Sequence, residues 1–188
     1  LSFDWNAVWT RKGNSDSSDH KEISGFEHLE FESEKVANNL LQTLNLQESE
    51  TLLEIGCAAG MFARHFNLGC RYVGIDKVEA MVKKNITLNN LCSLQCEADD
   101  LIFKDKSFDK SFSFGVFHYF PEHTFMWKVV DEMIRVSRKS VLIADLPRVS
   151  HDSNHLLFTE SMFTDNGWEI VPASFFRAER FDVIRRLD

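Results

Sequence analysis

Two carboxylates separated by a run of small residues carry the first chemical signal of this chain. Thr51-Leu52-Leu53-Glu54-Ile55 reads as a buried parallel strand, and Met61-Phe62-Ala63-Arg64-His65-Phe66 starts a helical periodicity. Between them, Gly56-Cys57-Ala58-Ala59-Gly60 holds nothing larger than a cysteine. Such a turn lets a ligand reach the backbone, and the helix start behind it offers unpaired N–H groups. A second apolar run, Tyr72-Val73-Gly74-Ile75, ends in Asp76. Nucleotide-binding α/β folds place the acid that holds ribose hydroxyls at about that distance beyond the glycine turn. A nicotinamide-binding turn, G-x-G-x-x-G, asks for a third glycine where Met61 and Phe62 stand, which disfavours a nucleotide-dependent oxidoreductase.

The elements that must position these groups follow from periodicity. Ser33 is set to cap a helix carrying Val36, Leu40, Leu41 and Leu44 on one face, with Glu34 in its first turn. The central strand and turn come next, then a strand over 71–76. A helix is expected over Lys77–Leu88 with Val78, Met81, Val82 and Ile86 inward, and a short strand near Leu94-Gln95-Cys96. Phe108–Phe114 should form a fourth strand, Pro121 opens a helix to about Ser137, and Val141–Asp145 is a fifth strand. A helix around Phe158–Asn166 ends at Gly167, before strands at Trp168–Val171 and Arg180–Arg186. Strands alternating with helices indicate a parallel, doubly wound sheet. Residues 1–33 differ: Phe3, Trp5 and Trp9 precede the polar run 12–20, which reads as loop, and Ile23-Ser24-Gly25-Phe26 is a small apolar anchor. This segment is either a leader whose aromatics cap the core edge or a lid over a site.

With the elements in order, residues 54–60 resemble motif I of the class I S-adenosylmethionine-dependent methyltransferases, E/D-x-G-x-G-x-G. Cys57 takes a free position and Ala58 replaces the middle glycine. Glu97-Ala98-Asp99-Asp100-Leu101-Ile102-Phe103, followed by Ser107-Phe108-Asp109, is similar to the family's D-A-x-x-L-P-F…s-F-D. Aligned on Ala98, Leu101 and Phe103, the adenine-binding acid falls on Glu97, leaving Asp99 as a solvated loop acid. Gly115-Val116-Phe117-His118-Tyr119-Phe120-Pro121 resembles the post-strand segment of small-molecule methyltransferases, v-l-H-h/y-f.

The resemblance covers roughly residues 34–188 and implies a Rossmann-like, doubly wound, seven-stranded α/β sheet, mostly parallel, with the last strand inserted antiparallel. Residues 1–33 fall outside it as a lid or substrate-binding segment. It implies S-adenosyl-L-methionine as cofactor. Glu54 and the backbone of Gly56, Cys57, Ala58 and Gly60 would hold the methionine portion, and Asp76 the ribose. Glu97 and the Ala98 N–H would read adenine, with Lys77 or Val78 against its ring and Gly115 also on the cofactor site. His118 is then the candidate acceptor-facing base, with structural support of the pocket as its alternative. Tyr119 would orient the acceptor or pack in the core.

Bulk properties narrow the partner. The 188 residues suit one domain, and the net charge of −8 makes nucleic acid unlikely as a partner. No apolar run approaches the roughly 20 residues of a membrane span, and the start has no signal-peptide pattern, although it opens at Leu1 and leaves the native N-terminus open. Cys57, Cys70, Cys92 and Cys96 form no C-x-x-C pair, consistent with free thiols in a cytoplasmic setting. His20, His28, His151, Asp152 and His155 sit in polar stretches with no tight metal-ligand pattern. The expectation is methyl transfer to an oxygen or nitrogen of a small-molecule acceptor, with an apolar or planar surface to match Trp5, Trp9, Phe117, Tyr119 and Phe120. An inactive methyltransferase-like scaffold and a protein or RNA methyltransferase are the alternatives; the acceptor's identity and the oligomeric state stay open.

Overall fold

The computed structural model describes residues 3–66, 71–149, 152–175, 177 and 179–187. Seven strands form one sheet: β1 (Thr51–Ile55), β2 (Arg71–Asp76), β3 (Ser93–Gln95), β4 (Phe108–Phe114), β5 (Ser137–Pro147), β6 (Glu169–Val171) and β7 (Arg180–Arg186). Their order is β3-β2-β1-β4-β5-β7-β6. β1 lies between β2 and β4, parallel to both, with Glu54 opposite Gly74 on one side and Phe112 on the other. β7 is antiparallel to both β5 and β6. The strand order therefore reverses between β1 and β4, which opens a crevice beyond their carboxyl ends.

Both faces of the sheet are covered, so successive residues of one strand feed different cores. Leu52, Phe112, Phe114 and Leu142 pack with Val36, Leu40 and Leu44 of α3 (Ser33–Leu44). Leu53, Ile55, Val141 and Ile143 pack with Met126, Val129, Val130 and Met133 of α5 (His123–Val136), together with Phe158, Phe163 and Trp168. Burial on both faces explains why β1 and the middle of β5 read as nearly continuous apolar runs.

Several expectations are corrected. The helix after β2 is α4 (Glu79–Asn89), because Val78 is extended and its N–H donates to Asp76 at 2.9 Å. Its inward stripe runs through Met81, Val82 and Asn85, while Ile86 is 46% exposed. The periodicity after the glycine turn yields only a 3-10 turn at Ala63–His65, as Met61 and Phe62 turn into the α3-side core. The helix drawn over 158–166 shrinks to α6 (Ser161–Thr164), since the Phe158 N–H is spent on the carbonyl of Pro147. Ser33 begins α3 rather than capping it, and its hydroxyl lies 2.9 Å from His65 Nε2.

The largest difference is at the start of the chain. Residues expected as leader and loop form α1 (Trp5–Gly13) and α2 (His20–Ile23). Asp4 caps the first by accepting from the Ala7 N–H at 3.0 Å, and Asp19 caps the second through the Lys21 N–H at 2.8 Å. α1 lies on α4, where Gly13 meets Ala80 so closely that a Cβ would stand 2.8 Å from the alanine methyl.

At the amino edge of the sheet a buried ion cluster ties strands together. Glu50 bonds Lys110 at 2.8 Å and Lys139 at 2.7 Å, and Lys110 also donates to the Asn45 carbonyl at 2.7 Å. These lysines hold the Glu50 carboxyl below its ordinary range against the cost of burial.

Candidate active site

The turn after β1 is bent back onto β2. The N–H groups of Gly56 and Cys57 both donate to the Ile75 carbonyl, at 2.8 and 2.9 Å. Gly56 has a φ of 72°, and a Cβ there would come within 2.4 Å of Val116, so only glycine fits. Ala58, at the position of the family's middle glycine, takes a φ of 44° despite its side chain. Its N–H donates to Asp76 at 3.0 Å, so the carboxylate holds the strained residue in place.

Gly60 has another task. A Cβ on it would stand 2.1 Å from Asn85 Oδ1, so the glycine lets the turn settle on α4. There the Asn89 amide donates to the Ala59 carbonyl at 2.7 Å and to Asn85 at 2.9 Å, while its oxygen lies 2.9 Å from His20 Nε2. One asparagine thus fixes both the turn and α2.

Electrostatics distinguish the carboxylates of this edge. Glu54 is 4% exposed, and burial pushes its carboxyl up to about 8 although the Tyr72 hydroxyl donates to it at 2.6 Å. Asp76 adds to that upward push. Burial also raises Asp76, against the two N–H groups of Val78 and Ala58 that favour its charged form. The Cys57 thiol is driven well above its ordinary value, first by burial and then by Asp76 and Glu54, which makes it an inert wall rather than a nucleophile.

These groups open into a cavity of about 280 Å³. Glu54, Gly56, Cys57, Ala58, Asp76, Lys77, Glu97, Ala98, Gly115 and Tyr119 all line it, which brings together most of the residues singled out in the sequence. Gly60 and His118 do not line it. Asp99 is likewise absent from the lining, whereas Glu97 is present. The sequence reading missed Ser24, Phe26, Met61, Phe62, Cys96 and Phe125 as lining residues. Of these, Ser24 and Phe26 belong to the stretch read as an anchor, Met61 and Phe62 to the segment read as a helix start, and Cys96 immediately precedes the recognised acid.

The far half of the cavity is aromatic. Trp5 and Trp9, one turn apart on α1, each meet Tyr119 edge-on, with ring centroids 4.6 and 5.2 Å away. Phe26 approaches Gly115 so nearly that a Cβ there would lie 3.7 Å from its ring. Burial raises the Tyr119 hydroxyl to about 12, so it keeps its proton at neutral pH. His118 is 4% exposed and stands behind the wall, its ring centroid 4.1 Å from that of Tyr119 and 4.6 Å from that of His155. Behind Gly115, Asp145 binds Arg177 at 2.5 Å and Arg180 at 3.4 Å and fixes the ends of β5 and β7. Among the described residues no group of three His, Cys, Asp or Glu side chains is placed to hold a metal ion; His151 and Cys70 lie outside them.

Comparison with known proteins agrees with this geometry. A family model described as "Methyltransferase domain" matches residues 53–144, from the central strand to the end of the parallel core. The chain carries a class I methyltransferase domain. S-adenosylmethionine is the cofactor of such domains. Among solved structures, magnesium protoporphyrin IX methyltransferase from Synechocystis PCC 6803 with bound SAM is 14% identical, with a TM-score of 0.66 over 97% of this chain and 90% of that one. A SAM-dependent methyltransferase from Methanosarcina mazei is 18% identical, with a TM-score of 0.64 over 78% and 96%. A possible histamine N-methyltransferase from Thermotoga maritima is 17% identical, with a TM-score of 0.59 over 81% and 88%. At these identities the likeness is one of fold. No curated protein matches the sequence.

The methyltransferase domain's residues fit the cofactor it implies. Glu54 and Asp76 are acids in the cavity wall whose desolvation is not offset by a salt bridge among the described residues. A ligand bringing an ammonium group and hydroxyl donors supplies what they lack. Glu97, exposed on the same wall, can accept from an exocyclic amine, and the Ala58 bend leaves room for close backbone approach.

Proposed function

We propose that this protein transfers the methyl group of S-adenosylmethionine to a nitrogen or oxygen of a small-molecule acceptor with a flat or apolar surface. The observation that carries the reading is the continuity of one cavity from Glu54 and Asp76 to the ring wall of Trp5, Trp9 and Tyr119. The cofactor supplies a methyl already activated on a sulfonium, so the protein's task is alignment and exclusion of water. Positioning of that kind contributes up to about 7–11 kcal/mol in favourable cases.

Tyr119 orients the acceptor as a protonated donor, and His118 packs behind its ring as a positioning residue. Trp5, Trp9, Ser24 and Phe26 enter the cavity from residues 1–33, which supports their reading as a lid. The aromatic part of the described lining contains no carboxylate or imidazole. That favours nitrogen over oxygen, because an amine attacks before it gives up its proton whereas a hydroxyl needs a base during attack. The net charge of −8 weighs against RNA as acceptor, and the free thiols Cys57 and Cys96 suit a cytoplasmic setting.

The test has two stages. Calorimetry should show S-adenosylmethionine and S-adenosylhomocysteine binding one to one. A mass-spectrometric screen of flat amines and phenols should then show cofactor-dependent gain of one methyl, with amines ahead. Cofactor binding with no methylated product from any amine or phenol would leave a binding protein instead.

A further inference from the structure

Ser24 is the C-cap of α2, 9% exposed and in the cavity wall. Its hydroxyl oxygen is buried and has no hydrogen-bond partner among the described residues. A buried orphan hydroxyl is costly, and of the orphaned serine hydroxyls among the described residues Ser24's alone lines the cavity, where a ligand can reach it. Nothing in the methyltransferase motifs accounts for it: the residue belongs to the N-terminal segment, outside residues 53–144.

The neighbours of Ser24 say which part of a ligand it meets. Ile23, 1% exposed, packs with Ala59, Val78 and Met81, so the preceding residue rests on the glycine turn. Two residues on, the Phe26 ring meets Phe62 and Phe114 at centroid distances of 6.5 and 6.2 Å and borders Gly115. Ser24 therefore sits beside the turn 56–60, between a residue packed on Ala59 and a ring that borders Gly115. Its position is fixed. The Ser24 N–H donates to the His20 carbonyl at 3.0 Å, and His20 meets the asparagine that holds the Ala59 carbonyl. Gly25, with a φ of 77°, turns the chain so that the Trp9 ring lies where a Cβ would be only 3.1 Å away.

We infer that Ser24 binds the amino-acid end of the cofactor, its hydroxyl donating to the carboxylate of the methionine portion while Glu54 faces the ammonium. This rests on the cavity being a S-adenosylmethionine site. It makes the N-terminal segment part of the cofactor site as well as of the acceptor wall.

The test compares two probes in calorimetry: S-adenosylhomocysteine, which has the amino-acid end, and 5′-methylthioadenosine, which lacks it. Ser24→Ala should weaken S-adenosylhomocysteine about tenfold, the size of a charge-assisted hydrogen bond, and leave 5′-methylthioadenosine unchanged. Thermal unfolding of the ligand-free variant should match or exceed wild type, since no protein bond is lost. Unchanged S-adenosylhomocysteine affinity, or equal weakening of both probes, would overturn the assignment. A wild type that binds neither probe would remove the cofactor reading itself, a result separable from both of these.

Discussion

Two glutamates on or beside one strand show how differently the two edges of this sheet are built. Glu50 and Glu54 are each 4% exposed, and three residues stand between them. Glu50, at the amino edge, is bound by Lys110 and Lys139 and its carboxyl is pulled down. Glu54, at the carboxyl edge, has a tyrosine hydroxyl and a neighbouring aspartate, and its carboxyl is pushed up to about 8. The first is satisfied by the protein and serves the fold. The second is left for a ligand, and the fold bears its cost. Their pH dependences run oppositely. Glu50 contributes stability that is present above its ordinary value of 4.5 and lost as pH falls through its lower folded value. Glu54 holds a proton in the folded state that the unfolded chain releases near 4.5, so its contribution declines as pH rises from there toward about 8.

The sharpest way to break this contrast is at the satisfied edge. Glu50→Gln leaves Lys110 buried without its counter-charge and should cost about 3 kcal/mol in urea unfolding, while the folded fraction keeps its cofactor affinity. An equal loss of affinity would mean that the edges are not separate. Glu54→Gln should do the reverse. S-adenosylhomocysteine affinity should fall at least about tenfold, and ligand-free stability at pH 8 should rise by about 1–2 kcal/mol, with little gain at pH 5. Removing the hydroxyl bond in Tyr72→Phe should cost about 1 kcal/mol and drive Glu54 further up, weakening the cofactor a few-fold at pH 7. The smallest effect is expected at the bend: Ala58→Gly relieves a positive φ and should stabilise by up to about 1 kcal/mol in thermal unfolding, with affinity within threefold of wild type.

The sequence carried the parallel core well, for a physical reason. Strands buried on both faces tend to short apolar runs, as in β1 and β2, whereas β4 was legible from the alternation of its phenylalanines with polar residues. Asp76 was legible because it ends such a run, while Glu54 and Glu97 were reached through their resemblance to the family's motifs. The N-terminal helices were less legible, although Asp4 and Asp19 are ordinary N-caps and Trp5 and Trp9 have helical spacing. Short segments gain helicity mainly from tertiary packing, here α1 against α4, which no local pattern reports. Ile86 was read inward because it is apolar; the buried place beside it went to Asn85, whose amide donates to Ser93 at 2.8 Å. The Tyr72–Glu54 bond required the register of β1 on β2, and Ser24 required the cavity.

Titrating the protein with S-adenosylhomocysteine at pH 7 in two buffers of different ionisation enthalpy tests the role given to the carboxyl edge most directly. One-to-one binding is predicted, with about one proton released per site as Glu54 ionises against the arriving ammonium, and with that release abolished in Glu54→Gln. No binding, or a wild-type enthalpy that is the same in both buffers, would contradict it.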